Sequence, residues 1–407
     1  LMHQDVWKAS GHVDAFHDPM IDDKVSKNRY RADQLIENHI ERLKSKGKTD
    51  RAEQVHAQYV DALNDDDVPK ALYDIIMSEE IKSPDSGAFD WTEVRQFNLM
   101  FRTHMGPSSD SENVIYLRPE TAQGIFVNFH NVRETARLQI PFGIAQMGKA
   151  FRNEIVARQF VFRMREFEQM EMQYFVEPGT QMDAYERWKQ ERLDWHIGNG
   201  IVAENLHFHI HEKPAHYADA AVDIQYQFPG GWQEVEGIHS RTDYDLGRHQ
   251  EYSGKKMEYF DPQTNERYVP YVVETSVGLD RTILMLLCEA YTEEEVNGET
   301  RTVMAFDPRL APITAAVFPL VKKDGMPEIA HEIERDLRKK YNVFYDEKGA
   351  VGRRYRRMDE AGTPFCITVD GQTSEDGTVT VRHRDSMDQD RVPSDRVVEY
   401  VSDQLSK

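Results

Sequence analysis

The stretch FRNEIVARQFVFRMREFEQMEMQYF, residues 151–175, constrains this chain more than any other. It reads as a strand end, an Arg-rich loop and a second strand whose side chains alternate strictly between two faces. Phe167, Gln169, Glu171, Gln173 and Phe175 fall on one face. Met170, Met172, Tyr174 and Val176 fall on the other, which reads as ordinary core. The first face is unusual, because a glutamate and two glutamines on an interior strand must find hydrogen-bond partners. Just upstream, Arg152, Arg158, Arg163 and Arg165 gather guanidiniums in one short span. A planar guanidinium grips phosphate oxygens in bidentate fashion, and Phe167 offers a ring on which a base can stack. Taken alone, the loop is equally consistent with an exposed charged hairpin.

A chain of 407 residues exceeds one compact core, so two or three domains are expected. No apolar run approaches the length that spans a bilayer, and no signal-peptide pattern opens the chain, which is expected to have no membrane partner. Cys288 and Cys366 stand far apart in apolar surroundings, which argues against a disulfide framework and fits a reducing cytoplasm. The net charge of −21 disfavours non-specific nucleic-acid binding while leaving room for a local basic surface. One such surface is the RRYRR cluster, Arg353–Arg357, in a C-terminal segment whose charges otherwise balance.

The opening LMHQDVWKASGHVDAF reads as the end of a strand and a loop. From residue 33 to 113 a largely helical insertion is expected, with Leu35, Ile36, His39, Ile40 and Leu43 forming one stripe. Further helices are expected over 50–63 and 69–81, and a strand over 97–102. YLRPETAQG, residues 116–124, ends a strand and opens a helix that Thr121 would cap, burying Ile125, Phe129 and Val132. A helix over 180–198 precedes a hairpin of 222–228 with 232–238 around a PGG turn, in which Trp232, Glu234 and Glu236 would share a face. A second hairpin, 257–260 with 268–274, runs into a helix that starts near Gly278 with Arg281 in its first turn. Strands in succession, joined by hairpins or short helices, indicate an antiparallel sheet. After Phe306 strand and helix alternate, as in a separate α/β domain. HFHIH, residues 207–211, is the best metal candidate, though no Cys or acidic partner is spaced to complete a site, and a hydrated strand face is the better reading.

FRNE with its Arg-rich loop, and the helix-opening GLDR, resemble the second and third signature motifs of class II aminoacyl-tRNA synthetases. Together with SGH, RYRAD, RPETAQG, REFEQMEMQYF, GWQEVEGI and ETSVGLDR in this order, they make nearly the whole chain similar to glycyl-tRNA synthetases of the homodimeric type. The resemblance implies an α+β catalytic domain over 1–306, its antiparallel sheet flanked by helices, with a helical insertion at 33–113. It implies an α/β anticodon-binding domain over 307–407. The first class II motif is expected mostly before Leu1, and Gln4 sits near a position that is usually proline in the family.

The activity implied is activation of glycine by ATP, with Mg²⁺, to glycyl-adenylate and pyrophosphate, followed by transfer to the 3′ end of tRNA(Gly). Arg152 and Arg281 would be the catalytic clamps on the α- and γ-phosphates. Glu154 would read the adenine edge, Phe167 would stack on it, and Arg163 and Arg165 would reach the outer phosphates. Asn153, Phe162, Met164 and Glu166 lie within the same nucleotide-binding motif. Glu234 and Val235 match a nucleotide-contacting pair, with Glu234 suited to the metal, and Gly278, Leu279 and Asp280 lead into Arg281. The glycine site would comprise Arg31, Glu120, the run Phe167, Glu168, Gln169, Met170 and Glu171, and the run Glu274, Thr275, Ser276, Val277 and Gly278. Arg353, Arg354, Arg356 and Arg357 would meet tRNA phosphates. Two alternatives stay open: a synthetase-like nucleic-acid-binding accessory protein without ligase activity, and a class II synthetase for another small amino acid.

Overall fold

The computed structural model describes residues 1–65, 67–106, 114–155, 160–211 and 217–406. Arg158 lies outside them. The chain forms two compact units: Leu1–Gln181 with Arg241–Glu274, and Met182–Ser240 with Thr275–Lys407.

In the first unit the opening segment is helical rather than extended, with helices Gln4–Ala9 and His12–Ala15. The His3 side chain accepts from the Asp5 N–H, supplying the cap that starts the first of them, and Trp7 and Ala9 are buried beneath it. Helices Ala32–Ser45, Thr49–Ala62 and Val68–Ser78 pack their apolar stripes into one core around Ile36, Ile40, Val55, Leu72 and Ile76. A three-stranded sheet, Arg29–Arg31, His17–Asp22 and Arg95–Asn98 in that order, closes this core. The strand expected over 97–102 is broken there: the Asn98 side chain accepts from the Met100 N–H at 2.7 Å, a turn that ends one strand before Arg102–His104 begins the next.

Six longer strands form the central sheet: β1 (Phe142–Phe151), β2 (Glu166–Val176), β3 (Leu206–Ile210), β4 (Ala220–Phe228), β5 (Gly231–Thr242) and β6 (Tyr271–Gly278). Their order is β1-β2-β6-β5-β4-β3, with β1–β2, β3–β4 and β4–β5 antiparallel. The first unit holds β1, β2, the end of β5 and the start of β6; the second holds the rest. The hairpin expected to run into β6 stops earlier, as Tyr259–Asp261 with Glu266–Tyr268. Pro270, lacking an N–H for a ladder, separates it from β6.

Two alternations depart from expectation. On β2 the polar face is the buried one: Gln169, Glu171 and Gln173 are buried, while Met170, Met172 and Tyr174 are only half-buried. Hydrogen bonds to that face, described below, make its burial tolerable. On β5 a bulge between Glu234 and Glu236 breaks the period, so Trp232 and Glu234 are exposed and Glu236 is buried.

In the second unit the C-terminal part is a five-stranded sheet ordered Val343–Tyr345, Ala315–Pro319, Phe365–Val369, Thr378–His383 and Gln389–Pro393. Its first two pairings are parallel and its last two antiparallel. The short polar edge strand Gln389–Pro393 carries too little hydrophobic alternation to be legible in sequence. A hairpin, Tyr291–Val296 with Glu299–Met304, joins this sheet to the helix Leu279–Ala290. It is locked by the buried Arg301, whose Nε donates to Asp359 at 2.9 Å, while Arg382 donates to the same carboxylate at 2.8 Å. Gly362, at φ +79°, passes so close that an added Cβ would meet Met304 O at 2.9 Å.

RRYRR lies on the helix Val351–Ala361, but its four arginines do not form one exposed face. Arg354 is 1% exposed and donates to the carbonyls of Pro319, Leu320 and Asp346. Its helical position turns it inward, which corrects its assignment as a phosphate contact. Arg353 and Arg357 are exposed and Arg356 half-buried.

Candidate active site

In the first unit, β2 and the helix start after Pro119 bring the acidic residues together. Glu171 accepts from the Thr121 N–H at 2.7 Å and from its hydroxyl. Thr121 therefore serves Glu171, not its own helix, which has no side-chain cap. One strand over, Glu274 on β6 accepts from the Gln173 amide at 2.6 Å and from Arg241 at 3.1 Å. Arg241, at the end of β5, also makes a two-pronged contact with Asp245, at 2.7 and 3.0 Å. The Gln123 amide donates to both Glu120 and Asp245, at 3.0 and 3.1 Å, and accepts from His249 at 2.8 Å. Burial holds the His249 imidazole below its usual range. On the far side of Glu120 stands His12, its Nε2 3.3 Å from the carboxylate.

Gln123 and Arg241 thus link the half-buried Glu120 to the buried Asp245 and Glu274, with Arg241 as the fixed cation, and the buried Glu171 lies on the same face of β2 as Gln173, the partner of Glu274. Burial works against the charges of both Arg241 and Glu120. Asp245 and Glu274 outweigh it for the guanidinium, and His12 and Arg241 outweigh it for Glu120, which is held below the usual carboxylate range. The Gln173 carbonyl oxygen is buried with no hydrogen-bond partner among the described residues. Such a lining fits a small cation that also brings donors.

Beside this network lie the arginines. Arg152 spans between the rings of Phe16 and Phe167, 5.5 and 5.2 Å from their centroids, and its Nε donates to Pro119 O at 3.2 Å. Arg163 is 3.7 Å from Glu154. Arg165 holds the backbone of the same turn, donating to Glu154 O at 2.8 Å and Ile155 O at 3.1 Å. Asn153 bonds through its N–H to Leu99 O at 2.8 Å, fixing the strand exit. Phe162 ends a short 3₁₀ turn ahead of Met164, and Glu166 and Glu168 face Lys149 on β1 at 3.0 and 3.8 Å. Arg31 sits 3.2 Å from the buried Asp18 and also binds Asp33. Burial raises the Asp18 carboxyl, with Arg31, Arg163 and Arg152 all pulling against it. Met170 points to the opposite face of β2 from Gln169 and Glu171.

In the second unit Arg281 lies in the first turn of the helix Leu279–Ala290, whose N-cap is Gly278. Its Nη1 donates to Glu234 O at 3.1 Å and stands 3.5 Å from the Glu234 carboxylate. Asp280 precedes it in the same turn, and Ser276 is half-buried between the buried Thr275 and Val277. Val235 is buried, and Glu236 is bound by Arg192 and by His196 at 2.8 Å, so the bulge presents Glu234 alone to solvent. Among the described residues no group of three or more His, Cys, Asp or Glu could hold a metal ion. In the HFHIH stretch, His207 packs on Trp232 and His211 binds Asp223 at 2.8 Å.

Sequence reasoning missed Arg241, Asp245, Gln123, His249 and His12. Gln123 stands inside RPETAQG and His12 inside SGH, so the motifs contained the signal. Arg241 and Asp245 meet only because β5 turns directly into a helix, Tyr244–Ser253, that no periodicity announced.

The family model described as tRNA synthetase class II core domain (G, H, P, S and T) matches residues 101–290. Glycyl-tRNA synthetase insertion domain 1 matches 18–99, and an anticodon binding domain matches 314–404. A glycine–tRNA ligase of Chlorobaculum tepidum is 57% identical over 406 residues, covering 100% of this chain and 86% of the relative. One from Caldanaerobacter subterraneus is 49% identical over 407 residues, covering 100% and 85%. Among solved structures, a prolyl-tRNA synthetase from Cryptosporidium parvum, complexed with halofuginone and AMPPNP, superposes with a TM-score of 0.56 at 16% identity. It covers 76% of this chain and 61% of that one, and at this identity it supports the fold alone. No helix among the described residues is long and apolar enough to cross a membrane. With a class II core, a glycyl-specific insertion and relatives this similar over its whole length, the chain belongs to the glycyl-tRNA synthetase family.

Proposed function

We propose that this protein is a glycine–tRNA ligase whose amino-acid site is lined by Glu120, Glu171 and Glu274, with Arg241 beside them. The observation that carries this reading is the concentration of carboxylates, with Thr121, Gln123 and Gln173 bonded to them, in a space that Arg241 only partly neutralises. Glycine has no side chain to recognise, so its ammonium is the handle, and buried carboxylates are its natural acceptors. An amino acid with a side chain is rejected by overlap rather than by a lost contact.

Activation joins two anions, the glycine carboxylate and the ATP α-phosphate, so positioning and neutralisation supply most of the rate. A glycine carboxylate oxygen attacks the α-phosphorus, the bond to the bridging oxygen breaks, and pyrophosphate leaves. Arg152, held by Pro119 O and two aromatic rings, would span carboxylate and α-phosphate. Phe167 gives one face to Arg152 and its other face to adenine, whose edge Glu154 reads. Arg163, Arg165 and, from its helix N-terminus, Arg281 take the outer phosphates. Mg²⁺ is commonly held by substrate phosphates plus one or two carboxylates, and the exposed Glu234 fits that single-ligand role. The ion would neutralise charge on the departing pyrophosphate. Arg353, Arg356 and Arg357 would contact tRNA phosphates, and the enzyme would work as a cytoplasmic homodimer.

ATP–pyrophosphate exchange with glycine, alanine, serine, threonine and proline offered separately tests the reading. Exchange with glycine alone, lost in Arg281→Ala, is the expected result. Exchange driven by another amino acid overturns the substrate, and none with any overturns the ligase.

A further inference from the structure

SGH, residues 10–12, is a motif to which the activation chemistry gives no role, yet it ends against the proposed glycine site. Gly11 adopts φ +81°, a conformation that a side chain would strain, and sends the chain from one short helix into the next. That turn directs His12 between two rings, Trp7 at 5.6 Å and Phe16 at 5.2 Å, both edge-on. The two ring nitrogens then face different partners. Nδ1 is 2.9 Å from the Ser10 hydroxyl oxygen, and Nε2 is 3.3 Å from Glu120 Oε2. The Ser10 hydroxyl also lies 3.2 Å from Trp7 O, so it is fixed from both sides against the Nδ1 edge of the ring. A carboxylate only accepts, so the Nε2 edge is the donor that faces Glu120.

On this geometry we propose that His12, held by Ser10, is a positioning residue that orients Glu120 toward the glycine ammonium. The inference rests on the reading of Glu120 as part of the glycine site. His12 touches neither substrate; it acts through Glu120, whose other oxygen is held by the Gln123 amide at 3.0 Å. Two donors thus fix the carboxylate from opposite sides. The charged groups around His12 are Glu120 at its Nε2, Arg241 and Asp245 behind Glu120, and Arg152 across the Phe16 ring.

The test is glycine-dependent ATP–pyrophosphate exchange by the full chain, with the KM values for glycine and for ATP measured separately. His12→Phe, which keeps a ring between Trp7 and Phe16 but has no donor, raises the glycine KM about ten-fold, the scale of one hydrogen bond to a charged group. His12→Gln, which keeps a donor, recovers most of that loss. The KM for ATP stays within about two-fold, the scatter expected of a change that touches no nucleotide contact. A His12→Phe enzyme with the parental glycine KM overturns the proposal. So does one in which the KM values for glycine and ATP rise together, the mark of a wedge between Trp7 and Phe16. Glu120→Gln separates the two readings: if it leaves the glycine KM unchanged, the glycine-site assignment itself fails. If it raises that KM while His12→Phe does not, only the role of His12 falls.

Discussion

Replacing Arg241 by Leu is the sharpest probe of the buried network, because one guanidinium there answers two carboxylates. Arg241, Asp245 and Glu274 are 5%, 1% and 4% exposed, so water cannot take over the lost contacts. The variant loses the paired bonds to Asp245 and those to Glu274, and leaves both carboxylates buried beside Glu120. Breaking a buried ion pair by removing one partner costs about 3–5 kcal/mol, most of it the penalty of the uncompensated charge. Arg241→Leu with Asp245→Leu removes one of those charges, and the double variant is expected to recover about half of the loss. Urea denaturation of parent, single and double variants measures this directly. Glycine-dependent exchange separates stability from function, since the double variant refolds the network without restoring the pocket and keeps a raised glycine KM. A single variant destabilised by less than about 1 kcal/mol would refute the reasoning, because a cost that small belongs to a solvated pair. A double variant no more stable than the single one would refute it equally.

Three further outcomes follow from the bonds made by Glu236 and by the arginines of RRYRR. Burial pushes the Glu236 carboxyl up, but bonds from His196 and Arg192 outweigh it and hold the group below the usual range. A folded value below the unfolded one contributes stability that is complete above about pH 4.3 and is lost as pH falls below it, so Glu236→Gln should flatten the acid limb of the stability profile. Arg354→Ala should destabilise the C-terminal part by about 1–3 kcal/mol, orphaning three carbonyls, without changing the salt dependence of tRNA binding. Arg353→Ala and Arg357→Ala should do the reverse, shifting stability by less than about 0.5 kcal/mol while each lowers the salt slope by about one. Thermal unfolding and tRNA binding at several salt concentrations distinguish the two classes.

Much of the site was legible before any fold was known, for reasons specific to its residues. FRNE, the Arg-rich loop and GLDR place guanidiniums where a strand or helix end presents them, and such local grammar survives in sequence. The alternation from Phe167 to Phe175 correctly placed Gln169, Glu171 and Gln173 on one face. What it could not say was which face is covered. Period two fixes sides, not depth, and hydrophobicity alone pointed to the methionine side. Arg354 failed in the same way: four arginines in five residues encircle a helix, so one of them must turn inward.

By itself, then, the sequence determined the family and the motifs that carry it, from FRNE with its Arg-rich loop to GLDR. Each of these depends on residues close together in the chain. Only the tertiary structure decided that Thr121 serves Glu171 and not its own helix. It alone joined Arg241 to Glu274 and brought His12 to Glu120. Those pairs lie 50, 33 and 108 positions apart. Their hydrogen bonds become worth making only after packing has removed the water that would otherwise satisfy each partner.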